Sequence, residues 1–366
     1  MFRSPLFAQL QAAHAQFMDY HGWEIPASFG SVEAEYWALK EAAGVVDLSY
    51  RSRLLVRGPD APRFLHGMVT NEIQQLPVDS GTYTFLLNTQ GHILAVARIF
   101  RLSGQSFMVD CEPQCRDAIW NALQKHIIAD DVELEDRTEA IACLGIEGPC
   151  AREVLREAVG FDPPHMRLLD YLELADETTR LAYASLSVEE GFWIWVPPDR
   201  IAELWQRALE SASRIGGRPV GLAAREICRI EAGVPRYGVD MDDKTLPQET
   251  GQIHAISFTK GCYIGQEVVE RIRSRGHVNR KLVGLLLEGK QDISPGAPVS
   301  AAGQQVGAVT SVTYSFGLRR TIALAYVRQE HAQAGKSVAV GAAPAEIVPL
   351  PFFMTWWGPT PGSPPS

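Results

Sequence analysis

The stretch Lys260-Gly261-Cys262-Tyr263-Ile264-Gly265-Gln266-Glu267 gathers an ammonium, a thiol, an amide and a carboxylate within eight residues. A cysteine attacks or binds soft metals as thiolate, and a nearby cation or helix N-terminus favours that form. Val268, Val269 and Ile272, with Gly276 where a helix would stop, predict a helix that starts near Gly265. Cys262 then stands just before that helix and two residues from Lys260. Taken alone, a cysteine is more often a small buried hydrophobe. Arg271, Arg273 and Arg275 fall toward the predicted C-terminal end, where cations suit the helix dipole.

Other elements must position this stretch. Val32, Tyr36, Leu39 and Ala43 have helical spacing, with Gly44 as a stop. Residues 54–56 read as a strand, and Asp60 as the N-cap of a helix that carries Phe64, Leu65 and Met68. Residues 82–87 and 93–100 read as a hairpin around the turn 88–91. Helices are expected around 114–127, 149–159 and 199–212, and strands near 141–146, 181–188 and 192–196. This irregular interleaving points to an α+β fold. After about residue 280 the pattern changes to short strands separated by Gly and Pro, which predicts a small β-barrel or sandwich. The expected division is 1–278, 279–350 and a Pro/Gly-rich tail, 351–366, whose Trp356-Trp357 pack on the domain or mark a docking peptide.

Composition narrows the function. The chain has 366 residues, 46% hydrophobic and 21% charged, so it can bury a core and is not disordered. A net charge of −9 argues against direct nucleic-acid binding and against membrane-surface binding. There is neither a membrane-length apolar run nor a secretory signal. The six cysteines, at 111, 115, 143, 150, 228 and 262, include no C-x-x-C, which suits a reducing cytoplasm and no resident metal. The basic run Arg271, Arg273, Arg275, His277, Arg280, Lys281 is a solvated face or an anchor for an anionic group.

The signature K-G-C-aromatic-x-G-Q-E with an Arg four residues on is carried by Lys260, Gly261, Cys262, Tyr263, Gly265, Gln266, Glu267 and Arg271. It resembles that of the YgfZ family, folate-binding proteins related to the glycine cleavage T-protein. Residues 17–26, 44–49, 57–60, 83–91, 221–225 and 229–233 are similar to T-protein stretches, so the resemblance spans about 5–350. It implies a T-protein-like folate-binding region in two subdomains, followed by a small C-terminal β-barrel. By this resemblance, tetrahydrofolate or a one-carbon derivative would bind in a central cavity near Tyr83, Trp193 and Arg225, with Glu189 and Glu231 among its contacts. Cys262 would carry the functional thiol, Lys260 would hold it as thiolate, and Gln266 and Glu267 would order the loop. The function so implied is support of iron–sulfur cluster assembly or repair in client enzymes, tRNA-modifying ones included, with those clients or assembly proteins as partners. The alternative is a tetrahydrofolate-dependent aminomethyltransferase or demethylase, and a third reading is a scaffold that has lost folate.

Departures from the T-protein pattern favour the first reading. The Asp pair after the hairpin turn is Ala95 and Val96 here, and residues 81–109 contain no Asp or Glu. Aminomethyl transfer needs an acid–base group, which neither side chain supplies. The Glu that holds the pteridine in T-proteins is Trp193, and a nearby Tyr is Leu186. A Trp can stack or donate but cannot accept an aminopyrimidine edge.

Overall fold

The structure, a computed structural model, describes residues 1–176, 178–185 and 190–353. The hairpin forms as its sequence dictates. The Asn88 carboxamide oxygen accepts from the amides of Gln90 and His92 at 3.0 and 2.9 Å, and Gly91 takes a left-handed φ of 77°. Its strands, Ser80–Leu87 and Ile93–Ser103, continue into Ser106–Cys111, Ser52–Arg57 and Glu133–Asp136 to make a five-stranded antiparallel sheet. Period-two alternation sends Ala95, Ala97 and Ile99 to one face, where they bury against the helices Ala61–Met68 and Pro113–His126. Val96, Arg98 and Phe100 point to the other face.

A second, six-stranded sheet runs Tyr171–Glu173, Arg180–Tyr183, Gly191–Val196, Ala142–Glu147, Gly44–Asp47 and Arg218–Pro219. Every residue of Gly191–Val196 is buried, as expected for a strand covered on both faces. Phe192, Ile194 and Val196 pack toward the helices Ala151–Val159 and Ile201–Arg214. Trp193 and Trp195 face the first sheet, with Phe100 and Trp195 5.0 Å apart between ring centroids. Arg98 therefore lies between the two sheets. A three-stranded sheet, Phe2–Arg3, Trp23–Ser28 and Gln16–Tyr20, covers the N-terminal end.

The C-terminal strands close into a six-stranded barrel, in the order Arg280–Leu287, Arg320–Arg328, Gln304–Ser315, Pro298–Ala301, Ser337–Val340, Ala343–Val348. The architecture is α+β with a terminal barrel, as the sequence predicts. Helix Leu222–Glu231 touches the barrel through two ionic anchors. Arg229 reaches Asp240 at 2.7 Å and the Ser311 hydroxyl at 2.9 Å, and Glu231 accepts from Ser315 at 2.6 Å.

Local differences from the sequence expectations have local causes. Asp60 stands at its helix's N-terminus but makes no side-chain cap. Its carboxylate instead accepts from the amide of Asp131 at 2.9 Å and pairs with Arg63. The strand expected over 181–188 ends at Tyr183, and Leu186–Glu189 lie outside the described residues, as do Glu177 and the paired Trp of the tail. The helix expected near Gly265 is Gln266–Arg275, capped by Gly265 in a left-handed conformation. Among the described residues no helix is long and apolar enough to cross a membrane, and no His/Cys/Asp/Glu group could hold a metal ion.

Candidate functional site

Two cavities open beside the face of the hairpin that carries Tyr83, Val96 and Arg98. The inner one, about 60 Å³, is lined by Val96, Glu112, Arg225 and Arg236 among others. The outer one, about 540 Å³, is lined by Leu169, Gly233, His254 and Leu350 among others. Tyr83 and Arg98 line both. These residues come from the hairpin, the residue after strand Ser106–Cys111, helix Leu222–Glu231 and the segment that follows it, the short 3-10 helix Ile253–Ala255, the loop before strand Tyr171–Glu173, and the chain after the last barrel strand.

The inner cavity is rich in paired charge. The Arg51 guanidinium donates to Asp110 at 2.7 Å and bonds Glu112, which also accepts from the Tyr20 hydroxyl at 2.9 Å. Burial alone would raise the Glu112 pKa, but Arg51 and then Arg236 outweigh it and hold the carboxyl down at about 2. Glu112 is thus a fixed anion and a poor proton acceptor near neutral pH. Arg225 donates to the Tyr50 hydroxyl at 3.2 Å and to Glu147 at 3.4 Å. Glu147 also accepts from the Trp193 indole at 3.4 Å. Arg236 pairs with Glu226, as does Arg229.

A pH prediction follows from Glu112. Its folded pKa lies below the ordinary value of 4.5, so its stabilisation is present above that pH and is lost as pH falls toward about 2. The expected contribution is about 3 kcal/mol. Urea midpoints measured across this acid range should fall more steeply for the wild type than for Glu112→Gln. Parallel curves would show that Arg51 does not hold the carboxylate.

The structure does not bring the sequence-derived residues together. Tyr83 and Arg225 line the cavities. Trp193 does not: it is fully buried, and the guanidinium carbons of Arg51 and Arg98 lie 4.9 and 4.8 Å from its ring. Its ring is covered by protein cations and offers no ligand a stacking face. Glu231 is likewise elsewhere. Its carboxylate takes the Tyr36 hydroxyl at 2.8 Å and Lys40 at 3.1 Å, joining helix Val32–Glu41 to the barrel. Glu189 lies outside the described residues.

The residues of the motif 260–271 do not line either cavity. The Lys260 ammonium donates to the carbonyls of His66, Val69 and Asn71 at 2.5, 2.7 and 2.8 Å. All three of its protons are engaged in ordering that loop, and none is left to donate to the Cys262 sulfur. Burial pushes its pKa down to about 8, which leaves it protonated near neutral pH. Cys262 is exposed. Tyr263 packs with Phe85, Leu87 and Ile93 of the hairpin. Gly265 has φ 84°, and a Cβ there would lie 2.6 Å from the Asn88 carbonyl. Gln266 and Glu267 open the helix, while Arg271 is exposed on it. The motif is a strap that docks onto the hairpin turn.

Ala95 is buried behind the sheet, and Val96 faces the inner cavity. The structure adds three residues that sequence reasoning missed: Arg98, Glu112 and His254. An arginine inside the apolar run of strand Ile93–Ser103 was a readable signal, since arginine is seldom buried without cause. Glu112 had no such mark, because it becomes a cavity residue only through the pairing of Ser106–Cys111 with Ile93–Ser103.

The chain belongs to the glycine cleavage T-protein family, and its fold is that family's. Residues 6–260 match the GCVT N-terminal domain, and residues 280–353 match the glycine cleavage T-protein C-terminal barrel domain. The aminomethyltransferase of Rubrobacter xylanophilus is 33% identical, covering 96% of this chain and 94% of its own. That of Thermotoga maritima is 30% identical over 93% of this chain and 92% of its own. The solved structure of glycine cleavage system aminomethyltransferase T from Bartonella henselae superposes with a TM-score of 0.89 at 25% identity, covering 96% of this chain and 98% of that one.

These relatives overturn the iron–sulfur reading. Chain-long relatives at 28–33% identity are aminomethyltransferases, so the alternative drawn from the sequence fits better than an accessory role in cluster assembly. The motif that carries the resemblance behind that role has the geometry of a structural strap. Iron–sulfur client enzymes find no support as partners.

Proposed function

We propose that this chain is an aminomethyltransferase that passes a one-carbon unit to a reduced folate bound in the outer cavity. The observation that carries the reading is likeness over the whole chain, both domains included, to aminomethyltransferases. The outer cavity suits the acceptor. Its volume, about 540 Å³, lies in the range of ligand pockets, and Tyr83 and His254 set two rings at its wall, 5.4 Å apart. Tetrahydrofolate would supply the nucleophilic amines, and the products would be methylenetetrahydrofolate, ammonia and the deaminomethylated donor.

Proton handling must differ from a site built on an acidic pair. Val96 cannot take a proton, and Glu112 is locked in its ion pair. His254 is the titratable group best suited to the task. Desolvation at the cavity wall and the charge of Arg98 lower its pKa below the ordinary histidine value, so the imidazole is neutral and free to accept near neutral pH. Replacing His254 by Ala should lower kcat by about 100-fold and abolish the acidic limb of the rate profile. Rates measured against pH for both proteins test this. An unchanged limb in the variant would assign the proton step to another group.

A further inference from the structure

We propose that Arg98 is a carboxylate-binding residue at the junction of the two cavities, and that the site takes a ligand bearing that group. Four other arginines line the inner cavity, and each has a carboxylate: Arg51 has Asp110 and Glu112, Arg225 has Glu147, Arg229 has Asp240, and Arg236 has Glu226. Arg98 is the exception. It is 7% exposed and, among the described residues, its guanidinium has no hydrogen-bond or ion-pair partner. Tyr83 and Trp193 lie 5.7 and 4.8 Å from its guanidinium carbon, which supports the cation but satisfies none of its N–H donors.

A buried, unpaired guanidinium is costly unless an acceptor arrives. Burial and the neighbouring Arg51 bring its pKa down to about 10, so it stays charged near neutral pH. Its planar fork matches a carboxylate in bidentate fashion. The inner space, about 60 Å³, admits a group the size of a carboxylate and little more. Glu112 and Glu226 line the same space and would repel a doubly charged phosphate. The inference rests on the cavity alone and holds whichever reaction proceeds there. The carboxylate could belong to a small free acid or to the glutamate tail of a folate.

Wild-type protein titrated by calorimetry with two matched pairs separates these sources. One pair is acetate and acetamide; the other is tetrahydrofolate and a methyltetrahydropterin, which lacks the glutamate. The carboxylate member of at least one pair should bind about 10–100-fold tighter than its control, and Arg98→Met should erase that preference while Arg98→Lys keeps part of it. A preference for acetate assigns the site to a small acid. A preference confined to tetrahydrofolate assigns it to the glutamate tail. No preference in either pair, or one that survives in Arg98→Met, overturns the proposal. The wild-type comparison stands even if a variant fails to fold.

Discussion

Lys260→Met is expected to lower the unfolding free energy by about 3–5 kcal/mol, because it strands buried carbonyls without donors. The ammonium gathers the carbonyls of His66, Val69 and Asn71, and so fixes the passage from helix Ala61–Met68 into the hairpin. Methionine keeps much of the stem's volume and supplies no donor, which isolates the hydrogen bonds from packing. Urea denaturation gives the value. A loss under about 0.5 kcal/mol, as for an ordinary surface substitution, would refute the structural role. A fall in the alkylation rate of Cys262 alone would restore the thiolate role that the sequence suggests. The structure predicts that this rate hardly changes.

Asp240→Ala should be about as damaging, for a different reason. The Asp240 carboxylate accepts from Arg229 at 2.7 Å, from the Arg236 amide at 2.9 Å and from the hydroxyls of Thr310 and Ser311 at 2.6 Å each. The last two belong to barrel strand Gln304–Ser315, so one carboxylate ties helix Leu222–Glu231 to the barrel. Removing it leaves Arg229 with Glu226 as its remaining carboxylate and both hydroxyls without their short bonds. Breaking one side of a buried ion pair costs about 3–5 kcal/mol. Hydrogen exchange should show the barrel amides losing protection before those of the five-stranded sheet. Loss spread evenly over both would mean that Asp240 does not control the joint.

Much of the scaffold was legible in the sequence because it depends on local chemistry. The turn 88–91, the helix after Gly265 and the strand-rich C-terminal segment follow from turn residues, a left-handed glycine and alternation. The relation to the T-protein family was legible for the same reason, since its matching stretches are contiguous, whereas the relatives give the narrower YgfZ assignment no support. The site was less so. Lys260 meets carbonyls almost two hundred residues earlier in the chain, with sequence separations of 189 to 194, and no spacing rule announces them. Glu231 and Arg225 share one helix, yet one faces the barrel joint and the other the cavity. Trp193 reads as a ligand platform until its two covering arginines are known. Arg98 gains its meaning from the partners it lacks, and that accounting needs every neighbour in three dimensions.

The loss of the acidic pair at Ala95 and Val96 gave the iron–sulfur reading its force. That argument held the acid–base group to one position. The carboxylates at the cavities, Glu112 and Glu226, are held by arginine partners, whereas the His254 imidazole has no ion-pair partner among the described residues. A family activity can thus survive the loss of its usual carboxylates if the proton passes through an imidazole.

The central claim is best tested by a single-turnover reaction of purified full-length protein with tetrahydrofolate and an aminomethyl donor, with methylenetetrahydrofolate and ammonia measured together. The account predicts both products in equal amounts, at a rate that depends on enzyme concentration and falls sharply in His254→Ala. Tight binding of tetrahydrofolate with no release of either product would contradict it, and would leave the chain a folate-binding member of its family without the transferase step.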